Sequence, residues 1–221
     1  MKKVRCYIFD LDGTILNSGP DLLDALNFVL QKNGISKVPE EMIGNLVGGG
    51  AEAMIRKAFE YYEMEIKSRK LKKLITQFIS YYENNCSNKS SLYKNVLETL
   101  QYLRSKKINL VICTNKMKYL AIKILKEFNI HQYFKLIVGS EQNIKLKPDT
   151  EMLLQILRKL QLNSKEAIMI GDSSKDIIPA KKLKMKSIFV NYGYGKIKDE
   201  YKADFMVDDI LQIKSIYTKL S

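Results

Sequence analysis

The sequence predicts an α/β fold: a doubly wound parallel sheet, with a second, smaller all-helical unit inserted just after the first strand. Three observations carry this. From Lys94 onward, short apolar runs alternate with helical stretches, the order expected of βαβ units. Two of those runs, Ile108 to Cys113 and Ala167 to Ile170, are continuously apolar, as strands covered on both faces are. Between residues 17 and 85 the apolar period is helical throughout.

Taken in order, Val4 to Phe9 is a buried strand that stops at Asp10. Pro20 and Asp21 mark a helix start, and Leu22, Leu26, Val29 and Leu30 then recur at helical spacing. Ala51 to Tyr62 continues the pattern, as does Leu71 to Tyr82, where Leu71, Leu74, Ile75, Phe78, Ile79 and Tyr82 share one face. The polar stretch Asn84 to Ser91 reads as the return linker. Helix 94–106, strand 108–113, helix 117–128, strand 135–139, helix 149–160 and strand 167–171 follow, then helix 174–183 and strands 187–191 and 204–207. The expected division is a core of residues 1–16 and 86–221 and a helical unit of residues 17–85.

Composition narrows the class. Of 221 residues, 46% are hydrophobic and 28% charged, too apolar for a disordered chain. No apolar stretch is long enough to span a bilayer. The basic start at Met1, Lys2 and Lys3 leads into a run broken by Arg5 and ended by Asp10, which reads as a strand and not an export signal. Cys6, Cys86 and Cys113 lack metal-ligand spacing, and two lie in strands, so they read as reduced core residues of a cytoplasmic protein. The net charge of +13 raises nucleic acid or anionic lipid as partners. Residues 17–85 carry nine basic and nine acidic side chains, so the excess lies elsewhere. Its densest cluster, Lys181, Lys182, Lys184 and Lys186, has no interleaved aromatics and reads as a solvated helix face. Oligomeric state is not legible.

Four polar clusters follow strands, where ligands of parallel sheets bind. Asp10 and Asp12, two apart on a strand end, share one side, and two carboxylates this close imply a cation, an acid/base couple, or both. A turn built on Gly13 with Thr14 as a cap is the plainer alternative. Thr114 and Asn115 offer a hydroxyl and backbone donors for a phosphate oxygen, or simply cap a helix. Lys147, before Pro148, is either a solvated loop residue or an ammonium that balances a phosphoryl group and a nucleophilic carboxylate. Asp172 and Asp176 follow Gly171 at the same sheet edge. With Asp10 and the backbone carbonyl of Asp12, Asp172 offers the hard oxygen ligands that magnesium takes, while Asp176 binds a metal water or orients Lys147. An N-capped helix is the alternative there.

Together the clusters resemble the haloacid dehalogenase superfamily of hydrolases, and more narrowly its phosphoglycolate phosphatase group. The superfamily motifs match at Asp10 to Thr14, Thr114-Asn115, Lys147-Pro148 and Gly171-Asp172 through Asp176, and the helical insert resembles the family's cap domain on a Rossmann-like core. Asn17 to Leu22 and Asn191 to Gly195 point to the narrower group. Thr150 replaces a frequent second proline and Asn17 a frequent aspartate, which loosens only the subgroup assignment.

The resemblance implies a magnesium-dependent phosphatase acting on a small phosphate monoester, 2-phosphoglycolate foremost. Asp10 would be the nucleophile, Asp12 the general acid/base and Lys147 the charge-balancing catalytic residue. Thr114, Asn115 and Lys147 would hold phosphate, and Asp10, Asp12, Asp172 and Asp176 the metal. The insert would close over the site on hinges near residues 14–19 and 85–91. Its loop Gly48-Gly49-Gly50 would either present backbone donors to a small carboxylate or only make a tight turn. Asp12 argues against a dehalogenase, which has no leaving alkoxide to protonate. The loop's lack of Lys or Arg argues against a beta-phosphoglucomutase, with Arg56 nearby keeping that reading open. Pyrophosphatase, nucleotide or sugar phosphatase activity is the runner-up. A basic nucleic-acid-binding module is the alternative from a different class, disfavoured because clustered aspartates repel a phosphate backbone.

Overall fold

The computed structural model describes residues 3–197 and 201–220; the basic start at Met1 and Lys2 lies outside the described residues. Strand β1 (Cys6–Phe9) is followed by the short β2 (Leu16–Asn17) and by helices α1 (Gly19–Lys32), α2 (Ile43–Leu46), α3 (Gly50–Tyr61) and α4 (Ser68–Asn85). Strand β3 (Ser91–Leu92) leads into α5 (Val96–Ser105), β4 (Asn109–Met117), α6 (Lys118–Glu127), β5 (Leu136–Ser140), α7 (Glu151–Leu160) and β6 (Ala167–Gly171). Then come α8 (Ser174–Lys182), β7 (Lys186–Val190), β8 (Phe205–Val207) and α9 (Ile213–Leu220).

The six longer strands form one parallel sheet in the order β5-β4-β1-β6-β7-β8. Alternate residues of each strand face opposite layers. Cys6, Ile8, Val111, Cys113 and Met169 pack with Met152, Ile156 and Ala180 of α7 and α8. Tyr7, Phe9, Leu110, Ile112 and Ile170 instead join Leu100 and Leu103 of α5, Ile124 of α6 and Ile216 of α9. A strand with apolar residues on both faces is thus buried twice, which is why these strands lack a polar alternation. All three cysteines are free and buried.

The register fixes what the sheet's edge can assemble. Phe9 at the end of β1 is level with Ile112 of β4 on one side and Ile170 of β6 on the other. Asp10 just past β1, Thr114 within β4 and Asp172 just past β6 therefore lie at one edge of the sheet although far apart in sequence.

Helices α1, α3 and α4 pack together beyond this edge. Leu71, Leu74, Phe78 and Tyr82 of α4 are buried, and Phe28 of α1 stacks on Tyr81 at 4.1 Å between ring centroids. Their apolar side chains are continuous with those on the α5–α6 face of the sheet. At the junction, β2 and β3 pair antiparallel, Leu16 with Leu92 and Asn17 with Ser91. Among the described residues, no helix is long and apolar enough to cross a membrane.

Three local readings need correction. The expected strand 108–113 runs on to Met117, because Met117 pairs with Ser140 after a register shift, so Thr114 and Asn115 lie within β4 and do not cap a helix. Helix α5 starts at Val96 instead of Lys94, since Asn95 adopts a left-handed conformation with φ 63°. The segment from 17 is not helical from its first residue: Asn17 belongs to β2, and α1 begins at Gly19. Helix α9 and the β2–β3 pair have no counterpart in the sequence reading.

Candidate active site

Asp10, Asp172 and Asp176 are buried, and one carboxylate oxygen from each lies within 4.8 Å of the others. Lys147 joins them. Its Nζ is 2.6 Å from Asp176 Oδ1 and 3.0 Å from Asp10 Oδ1, and it donates to the Cys113 carbonyl at 2.7 Å. Burial pushes the Asp10 carboxyl up to about 8, with Asp176, Asp172 and Asp12 adding like-charge repulsion and Lys147 pulling the other way. Asp172 is pushed up to about 6 by burial and by Asp176, against the N–H groups of Gly195 and Tyr194 that favour its anion. Burial alone would lower the Lys147 pKa, but Asp10 and Asp176 more than offset it and hold the ammonium charged.

Three carboxylates in so small a volume, with one ammonium, carry an excess of negative charge once they are ionised, which a proton or a cation must offset. Hard carboxylate oxygens at this spacing suit a small divalent cation such as magnesium. The surrounding backbone leaves room for them. Gly13 has φ +82°, and a Cβ there would sit 2.2 Å from Asp172 Oδ2. Asp172 Oδ2 accepts from the N–H groups of Tyr194 and Gly195 at 2.8 and 3.0 Å. Asp176 Oδ2 accepts from Ser173 N and Oγ in a capping box that starts α8.

Asp12 points its carboxylate elsewhere. Its Oδ1 accepts from Lys116 Nζ at 2.7 Å and from Ser18 Oγ, outside the three-carboxylate cluster. Lys116 also donates to Tyr82 Oη at 2.7 Å, linking α4 to the end of β4. Here too burial opposes the charge, while Asp12 and Tyr82 more than restore it.

Thr114 is buried and lines the same cavity as Asp10, and its Oγ1 accepts from Lys116 N at 3.2 Å. The side chain of Asn115 is committed to the Lys147 backbone: Nδ2 donates to the Lys147 carbonyl and Oδ1 accepts from its N–H, both at 2.9 Å. Asn115 therefore positions the lysine, and only its main chain is left for a ligand.

A cavity of about 230 Å³ lies between these residues and the helices. Asp10, Asp12, Thr114, Asn115 and Lys116 line one side, and the Gly48-Gly49-Gly50 loop with Met54, Ile75, Phe78 and Tyr82 lines the other. Gly48 and Gly50 have φ +94° and +78°, which fixes the loop's turn at the start of α3. Lys175 crosses from α8 to donate to the Gly48 carbonyl at 2.9 Å. Arg56 is bound to Glu52 at 2.9 Å.

The residues singled out from sequence thus converge at one sheet edge. Lys116, Ser18, Tyr82 and Lys175 were missed. A signal for Lys116 existed: it is two residues from Thr114, and on a strand such residues share a face. Ending the strand at Cys113 concealed it.

The model of haloacid dehalogenase-like hydrolases matches residues 7–190. A phosphoglycolate phosphatase of Agrobacterium fabrum is 33% identical over 215 residues, covering 96% of this chain and 92% of that protein. One from Haemophilus influenzae strain 86-028NP is 31% identical, covering 94% and 96%. A crystal structure described as a predicted phosphoglycolate phosphatase from Haemophilus somnus superposes with a TM-score of 0.91 at 30% identity, covering 98% of this chain and 99% of that one. The chain belongs to the haloacid dehalogenase-like hydrolase family, and within it resembles the phosphoglycolate phosphatases.

Proposed function

We propose that the protein is a magnesium-dependent phosphatase that hydrolyses 2-phosphoglycolate through an aspartyl phosphate on Asp10. The observation that carries this is the convergence of Asp10, Asp172 and Asp176 around Lys147, with Asp12 held apart on the cavity side. The names of the relatives support the choice of ester.

Lys147 and Leu11 N both contact Oδ1 of Asp10, so Oδ2 is the oxygen assigned to attack phosphorus. The ester oxygen leaves with a proton from Asp12, and in the second step Asp12 takes a proton from the water that releases phosphate from Asp10. Thr114 Oγ1, the Asn115 main chain and Lys147 orient the phosphoryl oxygens. Asp10, Asp172 and the Asp12 carbonyl would hold magnesium, with Asp176 fixing Lys147; when bound, the ion offsets charge on the phosphoryl group. Residues 17–85 act as a cap that shields the cavity from water, with Lys175 on Gly48 securing the closed form. Three buried free thiols suit a reducing, cytoplasmic setting.

Phosphate release from 2-phosphoglycolate, sugar phosphates, nucleotides and pyrophosphate, with and without magnesium, tests the reading. We expect 2-phosphoglycolate to lead and Asp10→Asn to abolish release. Normal turnover by that variant would remove the covalent mechanism, and a preference for pyrophosphate or a nucleotide would remove the substrate.

A further inference from the structure

Resting on that reading, we infer that Lys116 is the specificity-determining cation of the cavity, receiving the carboxylate of a phosphorylated 2-hydroxy acid on the leaving-group side. Among the described residues that line the cavity, Lys116 is the sole cationic side chain, whereas Asp10, Asp12 and Glu52 are acidic and Leu22, Met54, Ile75, Phe78 and Leu120 apolar. Without it, no charged group lining the cavity would offset a carboxylate on the leaving group, and burying an unpaired charge is costly.

Geometry puts the ammonium where such a carboxylate must lie. Asp12 is assigned to the ester oxygen, and Lys116 Nζ is 2.7 Å from Asp12 Oδ1. In a phosphorylated 2-hydroxy acid the carboxylate carbon is two covalent bonds from that ester oxygen, so an acid reaching Asp12 brings its carboxylate beside Lys116. The ammonium has three protons, and the contacts to Asp12 and Tyr82 use two. Tyr82 Oη accepts one of these, and the ring lies under the ammonium at 4.8 Å, so the lysine is held in place before any ligand arrives. The first turn of α3, Gly50 to Glu52, lines the opposite wall and adds main-chain donors of the kind that favour anions.

Lys116 also touches Asp12, so a loss of turnover alone would not separate recognition from positioning. The discriminating quantity is the ratio of kcat/KM for 2-phosphoglycolate to that for 2-hydroxyethyl phosphate, an ester of equal length bearing a neutral hydroxymethyl group in place of the carboxylate. The wild-type ratio should be tenfold or more. Lys116→Gln, which keeps a donor toward Asp12 but no charge, should lower it at least tenfold, chiefly through KM for 2-phosphoglycolate, and Lys116→Arg should restore much of it. Should the glutamine variant not fold, Lys116→Met, which keeps the stem against Tyr82, serves as the neutral variant. A wild type without preference overturns both the substrate reading and this role. A wild type that prefers 2-phosphoglycolate while the neutral variant keeps that preference overturns the role of Lys116 alone.

Discussion

Asp176 Oδ1 accepts a hydrogen bond from Lys147 Nζ at 2.6 Å, and both side chains are shut off from solvent. The same ammonium is the counter-ion of Asp10. Removing it would leave two buried carboxylates facing one another, a situation that typically costs about 3–5 kcal/mol. Lys147→Met should therefore lower unfolding free energy by that order in metal-free urea titrations. Phosphate release should fall by roughly a hundredfold or more, since a preorganised charge at the phosphoryl group is lost.

Asp12 is assigned to move a proton, and its contribution should follow how much the leaving group needs one. With an alkyl ester such as 2-phosphoglycolate, Asp12→Asn should reduce turnover by about 10²–10⁴. With p-nitrophenyl phosphate, whose phenolate leaves without help, the first step should be far less affected. Stopped-flow measurement of the p-nitrophenolate burst in that variant would check this, and equal losses on both esters would transfer the proton role to another group.

The sheet and the site were legible to different depths for physical reasons. Continuous apolar runs such as Ala167 to Ile170, short, followed by Gly171 and alternating with helical stretches, read as doubly covered strands, and they located the sheet edge at which Asp10 and Asp172 meet. The end of β4 was not legible, because Thr114 and Asn115 are as common in helix caps as at strand ends, and only pairing with β5 decides between them. The partners of Asp12 required tertiary information. Lys116 and Tyr82 are 34 positions apart in sequence, and nothing in either local pattern indicates that they meet. The role of Asn115 was half legible: its place beside the phosphate site was expected, while its side-chain clasp on the Lys147 backbone depends on how the loop folds back.

Asp21 illustrates a polar residue whose job is to hold the two chain crossings together. Buried in the first turn of α1, its carboxylate accepts from Lys89 N at 2.9 Å, Ser90 N at 2.8 Å and Ser90 Oγ at 2.6 Å, fixing the return segment just before β3. Hydrogen bonds to a charged group are worth about 1.5–3 kcal/mol each, and removing the acceptor takes this partner from the backbone N–H groups of Lys89 and Ser90. Asp21→Ala should destabilise the fold by at least about 2 kcal/mol. Amide exchange over residues 86–92, followed by mass spectrometry, should accelerate.

The buried carboxylates also make stability depend on pH in a direction opposite to the usual acid lability. With Asp10 raised to about 8 and Asp172 to about 6 from the ordinary 3.8, the folded metal-free chain holds more protons than the unfolded one between about pH 4 and 8. Stability contributed by these two groups is therefore present at the acid end of that window and lost as pH rises through it. Magnesium competes with protons for the same oxygens, so its binding should raise the melting temperature more at pH 8 than at pH 5.5. Asp172→Asn removes one of the repelling charges and one ligand together. It should raise the melting temperature of the metal-free protein at pH 8 and shrink the magnesium-induced gain. Thermal unfolding in EDTA and in excess magnesium at the two pH values measures all of these quantities, and a magnesium gain independent of pH would mean that the ion binds somewhere other than this cluster.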